Sequence, residues 1–244
     1  MTRHPTMLAA LVLLLSACGS KAPEGKESAT EAAPQASASA AAVPASTTPL
    51  LAGKFAPQDE CSQLPGWAEF HASLRFAVKD RDSNGLAALA NPQIKLDFGG
   101  GAGRSALIAR LGSKDQPSLW QALDQLDGLG CAYDPQTKTA VLPWFFEQDL
   151  APLDPFEVLL AAGPKVVLRE TADGEGRTVA ELSWILVVPL DVPVASGKFR
   201  KVSVVGQPQI GFVESAQLRS AIDYRLIATR GKSGWQIDAF VAGD

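Results

Sequence analysis

The chain has 244 residues, with 26 acidic and 22 basic side chains and a formal net charge of −4. That balance excludes the basic stripe on which nucleic-acid binding depends, and with it a polybasic membrane contact. Hydrophobic residues make up 46%, enough to bury the core of one or two domains once the N-terminal segments are set aside.

Residues 1–17 have a polar start with Arg3, an apolar stretch from Met7 to Leu15 and small residues before Cys18. This is the pattern of a secretory signal, too short to span a bilayer. Its end, Leu15-Ser16-Ala17-Cys18, resembles the lipobox of bacterial lipoproteins. The resemblance implies an acylated Cys18 and stable anchoring by several buried acyl chains. Gly19, where an aspartate would retain the protein at the inner membrane, implies an outer-membrane berth facing the periplasm. Residues 19–49 hold no aromatic residue and one large aliphatic, Val43. Such a segment cannot offset its ordering entropy, so we expect a disordered Ala/Ser/Pro tether from Cys18 to residue 52, with a reach of about 30 Å.

Residues 53–162 read as a helix-rich domain. Trp67, Phe70, Leu74, Ala77 and Val78 recur at helical spacing after Pro65-Gly66, and a shorter helix over 83–91 stops before Pro92. Ile94, Leu96 and Phe98 alternate as in a half-buried strand. Helices follow over Arg104 to Leu111 and Ser118 to Leu126, then an edge strand, residues 139–146, that carries Pro143. Asp154 and Pro155 predict the cap and first position of a helix over 156–162. Cys61 and Cys131 are an even pair in an exported chain; we expect a disulfide, with two buried thiols as the alternative.

After Gly163 the period becomes strand-like, with β-branched runs at 165–170, 177–182, 183–190, 200–205 and 210–215. Five short strands in so little chain suggest a small barrel over 163–219. Here Val167-Leu168-Arg169, Val179 with Leu182, and Gly211-Phe212-Val213 with Leu218 resemble, in order and spacing, the motifs of the bacterial SH3 (SH3b) family. The chain lacks the asparagine usual before the first motif and has Phe199-Arg200-Lys201-Val202 where a tryptophan is common. Residues 220–244 form a hairpin turning at Gly231 to Gly234. A terminal hairpin needs an apolar partner, so the expected fold class is α+β: a domain made of 53–162 and 220–244, with the barrel inserted. Helices followed by a strand ending in "GWQIDAF" are similar to the NTF2-like cone fold.

No motif supplies a catalytic set. Asp80, Asp82, Asn84 and Gly85 fit a calcium loop, but Asn91 stands where a bidentate glutamate is needed, which favours a helix end and bend. His71 is the one histidine beyond the signal and sits mid-helix, and no Gly-x-Ser-x-Gly elbow is present. Lys232-Ser233-Gly234 has the spelling of a penicillin-binding motif without its Ser-x-x-Lys, so it reads as a turn. Asp124 and Asp127 mark a helix's solvated side. The run Gly99-Gly100-Gly101-Ala102-Gly103-Arg104 misses both the P-loop and the dinucleotide spelling and leaves at most an anion site at Arg104. We expect no nucleotide, metal or other cofactor.

The aromatics Trp144-Phe145-Phe146 and Trp184 could line a groove. The expectation is a non-catalytic envelope lipoprotein whose SH3b-like module binds peptidoglycan, a peptide or a partner protein through Trp184, Phe199, Arg200 and Phe212. The alternative is a small-ligand binder or hydrolase with a pocket in the α+β domain.

Overall fold

A computed structural model describes residues 48–113, 118–190 and 197–243. Cys18, the signal and nearly all of the tether lie outside the described residues. The described part is an α+β protein with two mixed sheets and four helices. In chain order it runs β1 (Leu50–Ala52), α1 (Trp67–Lys79), α2 (Ser83–Leu89), β2 (Ala90–Lys95), α3 (Arg104–Gly112), α4 (Ser118–Asp124), β3 (Ala132–Asp134) and β4 (Thr139–Leu142). Then come β5 (Leu159–Ala161), β6 (Val166–Arg169), β7 (Thr178–Ser183), β8 (Ile185–Pro189), β9 (Phe199–Val204), β10 (Ile210–Glu214), β11 (Leu218–Ser220), β12 (Arg225–Gly231) and β13 (Gly234–Val241).

The first helix forms where the apolar spacing places it. Trp67, Phe70, Leu74 and Ala77 are its buried stripe, and it opens after Gly66, whose φ of 75° suits a residue without a Cβ. Asp82 caps α2 by accepting from the Asn84 and Gly85 N–H groups. The helices pack on one face of a five-stranded sheet of order β2-β13-β12-β4-β3. Its middle is the C-terminal hairpin, antiparallel within itself, with β13 parallel to β2 and β12 antiparallel to β4. Trp235 meets Trp67 edge-on at 4.9 Å between ring centres and donates its indole N–H to the Pro65 carbonyl. Cys61 and Cys131 form a disulfide behind this face, joining the segment before α1 to the start of β3.

The other sheet has eight strands in the order β1-β7-β6-β10-β9-β8-β5-β11. Strands β7 and β8 are four steps apart in that order, about 19 Å if the sheet were flat. They are joined by the single residue Trp184, so the sheet must curl on itself. Trp184 turns the corner at φ 48°, a left-handed conformation rare for a bulky residue. Leu168, Leu182, Val187, Val202 and Val213, from five strands, then meet in one buried cluster. A third cluster, including Phe55, Trp144, Phe145, Leu160 and Leu186, lies where the 3-10 helix Trp144–Glu147 meets the curled sheet.

Three expectations change. Residues 156–162 do not form a helix: Val158 and Leu160 are buried and Leu159 half-buried, a two-residue period, and β5 fills the gap between β8 and β11. The run at 139–146 is a strand only to Leu142. After Pro143 it turns into the 3-10 helix, which buries Trp144 and Phe145 together. Leu50–Ala52, expected to close the tether, is instead a parallel edge strand on β7.

Candidate functional site

The four residues expected to bind do not meet. On β9, Val202 and Val204 point into the curled sheet; alternation places Arg200 on their side and Phe199 and Lys201 on the outer one. Phe212 shares that outer face, opposite Lys201 on β9 and Arg169 on β6. Trp184 lies at the β7–β8 corner, packed against the third core cluster. The structure thus puts Phe199 and Phe212 on one face, diagonal to each other across β9 and β10, and separates Trp184 and Arg200 from them. Trp144 and Phe145 are core residues, with the Trp144 indole N–H donating to Glu60 Oε1 at 2.8 Å. They line no groove.

Two lysines stand beside Phe199 and Phe212. Lys198 Nζ stands 5.4 Å from the Phe199 ring centre and Lys201 Nζ 6.0 Å from that of Phe212. Glu214, opposite Phe199 on β10, is 3.9 Å from Lys198, and Asp173 and Glu175 flank the Gly174 that lies against Phe199. Ile210, 50% exposed, extends the apolar part. Both rings are half-buried, and Phe199 lies against the β6–β7 turn, where a Cβ on Gly174 would come within 3.3 Å of it. The result is two aromatic plates held by neighbouring strands, with ammonium groups beside them. Such a face suits a ligand that offers a flat or apolar surface and carboxylates.

The glycine run is a closed turn. Asp97 Oδ1 accepts from the N–H groups of Gly99 and Gly101 at 2.8 and 2.7 Å, and Oδ2 is paired with Arg110. Arg104 donates its Nε–H to the Ala90 carbonyl at 2.8 Å, so the run is the turn that the sequence favoured and its arginine is engaged by β2. Arg110, and after it the Gly101 N–H, hold the Asp97 carboxyl below its ordinary 3.8. A carboxyl depressed in the folded state contributes stability above that ordinary value and loses it as pH falls through the folded one. Gly101→Ala would drive its Cβ into both Asp97 and Arg110. We expect it to lower the melting temperature at neutral pH, with the difference from wild type shrinking below about pH 3.8. Calorimetry across pH 2 to 7 checks this.

Between α1, α4 and β4 lies a hollow of about 630 Å³ lined by Leu74, Val78, Leu123, Leu126 and Leu142. Its carboxylates are taken: Asp127 pairs with Arg75 at 3.2 Å and Asp124 with Arg81 at 2.6 Å. His71 borders it half-buried, stacked on Trp67 at 5.9 Å. Desolvation, then the Arg75 charge, lowers its pKa, so it is neutral at pH 7. Asp80 to Gly85 make the helix end and cap, and no cluster of metal-ligating side chains occurs among the described residues. Lys232 and Ser233 form the β12–β13 turn.

Sequence reading missed the Asp97–Arg110 pair and Arg219, the one buried charged residue among the described ones. Thirteen residues separate the first pair, a spacing with no periodic meaning, and an arginine within a strand-like run carries no sign of burial.

No protein-family model matches the chain, and no curated protein matches it. Among solved structures it is similar to a domain of unknown function with a cystatin-like fold from Nostoc punctiforme PCC 73102. That likeness has 15% identity over 72% of either chain and a TM-score of 0.25. A superposition that loose transfers neither topology nor activity.

Proposed function

We propose that this chain is a non-catalytic binding protein of the bacterial cell envelope, anchored in the outer membrane through a lipid on Cys18 and facing the periplasm. Its ligand face is the outer side of β9 and β10, and its ligand is peptidoglycan. The observation that carries the reading is the pairing of Phe199 and Phe212 with Lys198 and Lys201: sugar rings and stem-peptide methyl groups pack on aromatic plates, and stem-peptide carboxylates suit the ammonium groups. A disulfide agrees with an oxidising compartment.

The curled sheet is read as an SH3b-like barrel. The run β8-β9-β10, the 3-10 turn Ser215–Gln217 and the return of β11 onto β5 support that reading, as does the placing of the Gly211-Phe212-Val213 motif on β10. The helices and five-stranded sheet are read as an NTF2-like companion domain. A hydrolase in the α1–α4 hollow is disfavoured because both of its carboxylates are committed to arginines.

Co-sedimentation of the purified chain with isolated sacculi tests the proposal. We expect retention that falls about tenfold in Phe199→Ala/Phe212→Ala, the loss of about 1.4 kcal/mol that two half-buried aromatic contacts can supply. Retention unchanged by the double substitution would move the ligand off this face.

A further inference from the structure

We propose that the outward face of α1 is a self-association surface, on which two copies pack their α1 helices antiparallel. Glu69, Ala72, Phe76 and Lys79 stand at i, i+3, i+7 and i+10 and so form one row along the helix, on the side away from the buried stripe. Phe76 is 64% exposed, an outlier in a helix whose other large apolar side chains are buried or half-buried. It rises between two hollows, the one of about 630 Å³ toward α4 and another of about 440 Å³ toward α2, and Ala72 borders both. A knob next to a small residue flanked by holes is what one helix needs to pack against a copy of itself.

The charges select the orientation and the register. With the two helices antiparallel, Phe76 of each copy falls on Ala72 of the other, and the same register sets Glu69 of each against Lys79 of the other. Glu69 and Lys79 have no ion pair among the described residues, whereas Arg75 and Arg81 on the same side are engaged by Asp127 and Asp124. A parallel arrangement would set like charges together. Slipping the antiparallel pair by one turn, Phe76 onto Ala68, would ask Glu69 to take Arg75, which Asp127 already holds. The face is therefore self-complementary in shape and in charge, as a two-fold interface requires.

Its size sets the strength. Thirteen residues of helix span about 20 Å, which puts the contact at the small end of specific interfaces, with a dissociation constant on the order of 10 µM.

Sedimentation velocity on the full chain in detergent, from about 1 to about 200 µM, tests this. Wild type is expected to pass from monomer to dimer over that range, and Phe76→Glu to stay monomeric. Glu69→Lys should weaken the dimer at least about tenfold by setting lysine against lysine twice, and Glu69→Lys/Lys79→Glu should restore it. Melting curves of all three variants, matched to wild type, show that the helix itself is intact. Wild type monomeric throughout would overturn the proposal, the face then serving another partner. A double variant as weak as Glu69→Lys would overturn the register and the pairing with it.

Discussion

Replacing Cys61 and Cys131 with serine is expected to cost about 4 kcal/mol of stability. The bond closes a loop with a sequence separation of 70 residues, and in the chain-entropy account that constraint on the unfolded state is worth about 4.4 kcal/mol at 25 °C. The two cysteines are 0% and 3% exposed, so serine hydroxyls would be buried there in place of sulfur. The backbone bonds on either side remain: Cys131 N–H to Gln58 at 2.8 Å and Glu60 N–H to Cys131 at 2.9 Å. They can hold the strand ends in register without the sulfurs. For a folded part of this size about 4 kcal/mol corresponds to roughly 8 to 16 °C in melting temperature. Calorimetry of the serine variant, and of wild type with and without reductant, measures it. A shift under about 3 °C would mean that the loop is already restrained in the unfolded chain.

The second large effect is expected at Arg219. This side chain leaves β11 and reaches the end of the helical part, donating to the Gln125 carbonyl at 3.3 Å and the Tyr224 carbonyl at 2.9 Å. Asp223 is its nearest carboxylate at 3.7 Å, and its Nε has no partner among the described residues. Burial lowers its pKa, which Asp223 partly offsets, and it remains a cation at any physiological pH. Arg219→Met keeps much of the volume but leaves two carbonyls and a carboxylate without their donor, at a cost of about 3 kcal/mol. Arg219→Lys keeps the charge, yet a single ammonium cannot follow the fork to both carbonyls, so we expect about half the loss. Because the guanidinium links the curled sheet to the helical part, the Met variant is also expected to separate their unfolding. Tryptophan fluorescence of the Met variant carrying Trp144→Phe and Trp184→Phe, which leaves Trp67, Trp120 and Trp235 of the helical part as reporters, would then fall out of step with far-ultraviolet circular dichroism in urea.

Much of this architecture was legible before any coordinates. The spacing of Trp67, Phe70 and Leu74, the Asp82 cap and the Gly231 to Gly234 turn each rest on interactions within one or two turns of chain, and each is found where the sequence puts it. The cysteines were legible as a pair because two thiols are expected to bond in a chain read as exported, and the bond is found. Failure came where long-range pairing decides. Residues 156–162 carry an apolar run that suits a helix as well as a strand, and only the vacancy between β8 and β11 settles it. Leu50–Ala52 has three residues, too few for any period, and is a strand because β7 offers an edge. At the candidate ligand face, the aromatic residues could be named but not grouped. Whether Trp184 sits with Phe199 and Phe212 depends on the curl of a sheet whose order no local pattern encodes.

The hairpin β12–β13 has a consequence for how the chain comes to be folded. It supplies two of the three interior strands of the five-stranded sheet, while the strands on either side of it, β2 and β4, are synthesised before every strand of the curled sheet except β1. Until the hairpin arrives, Ala90 and Val141 have no strand between them, and the apolar side of α1 has lost Trp235, Ile237 and Phe240. The helical half therefore waits on its most distant segment. A chain wired this way folds slowly relative to its length, because its central pairings close the longest loops. It also leaves the helical half without a complete core until the last strand has been made.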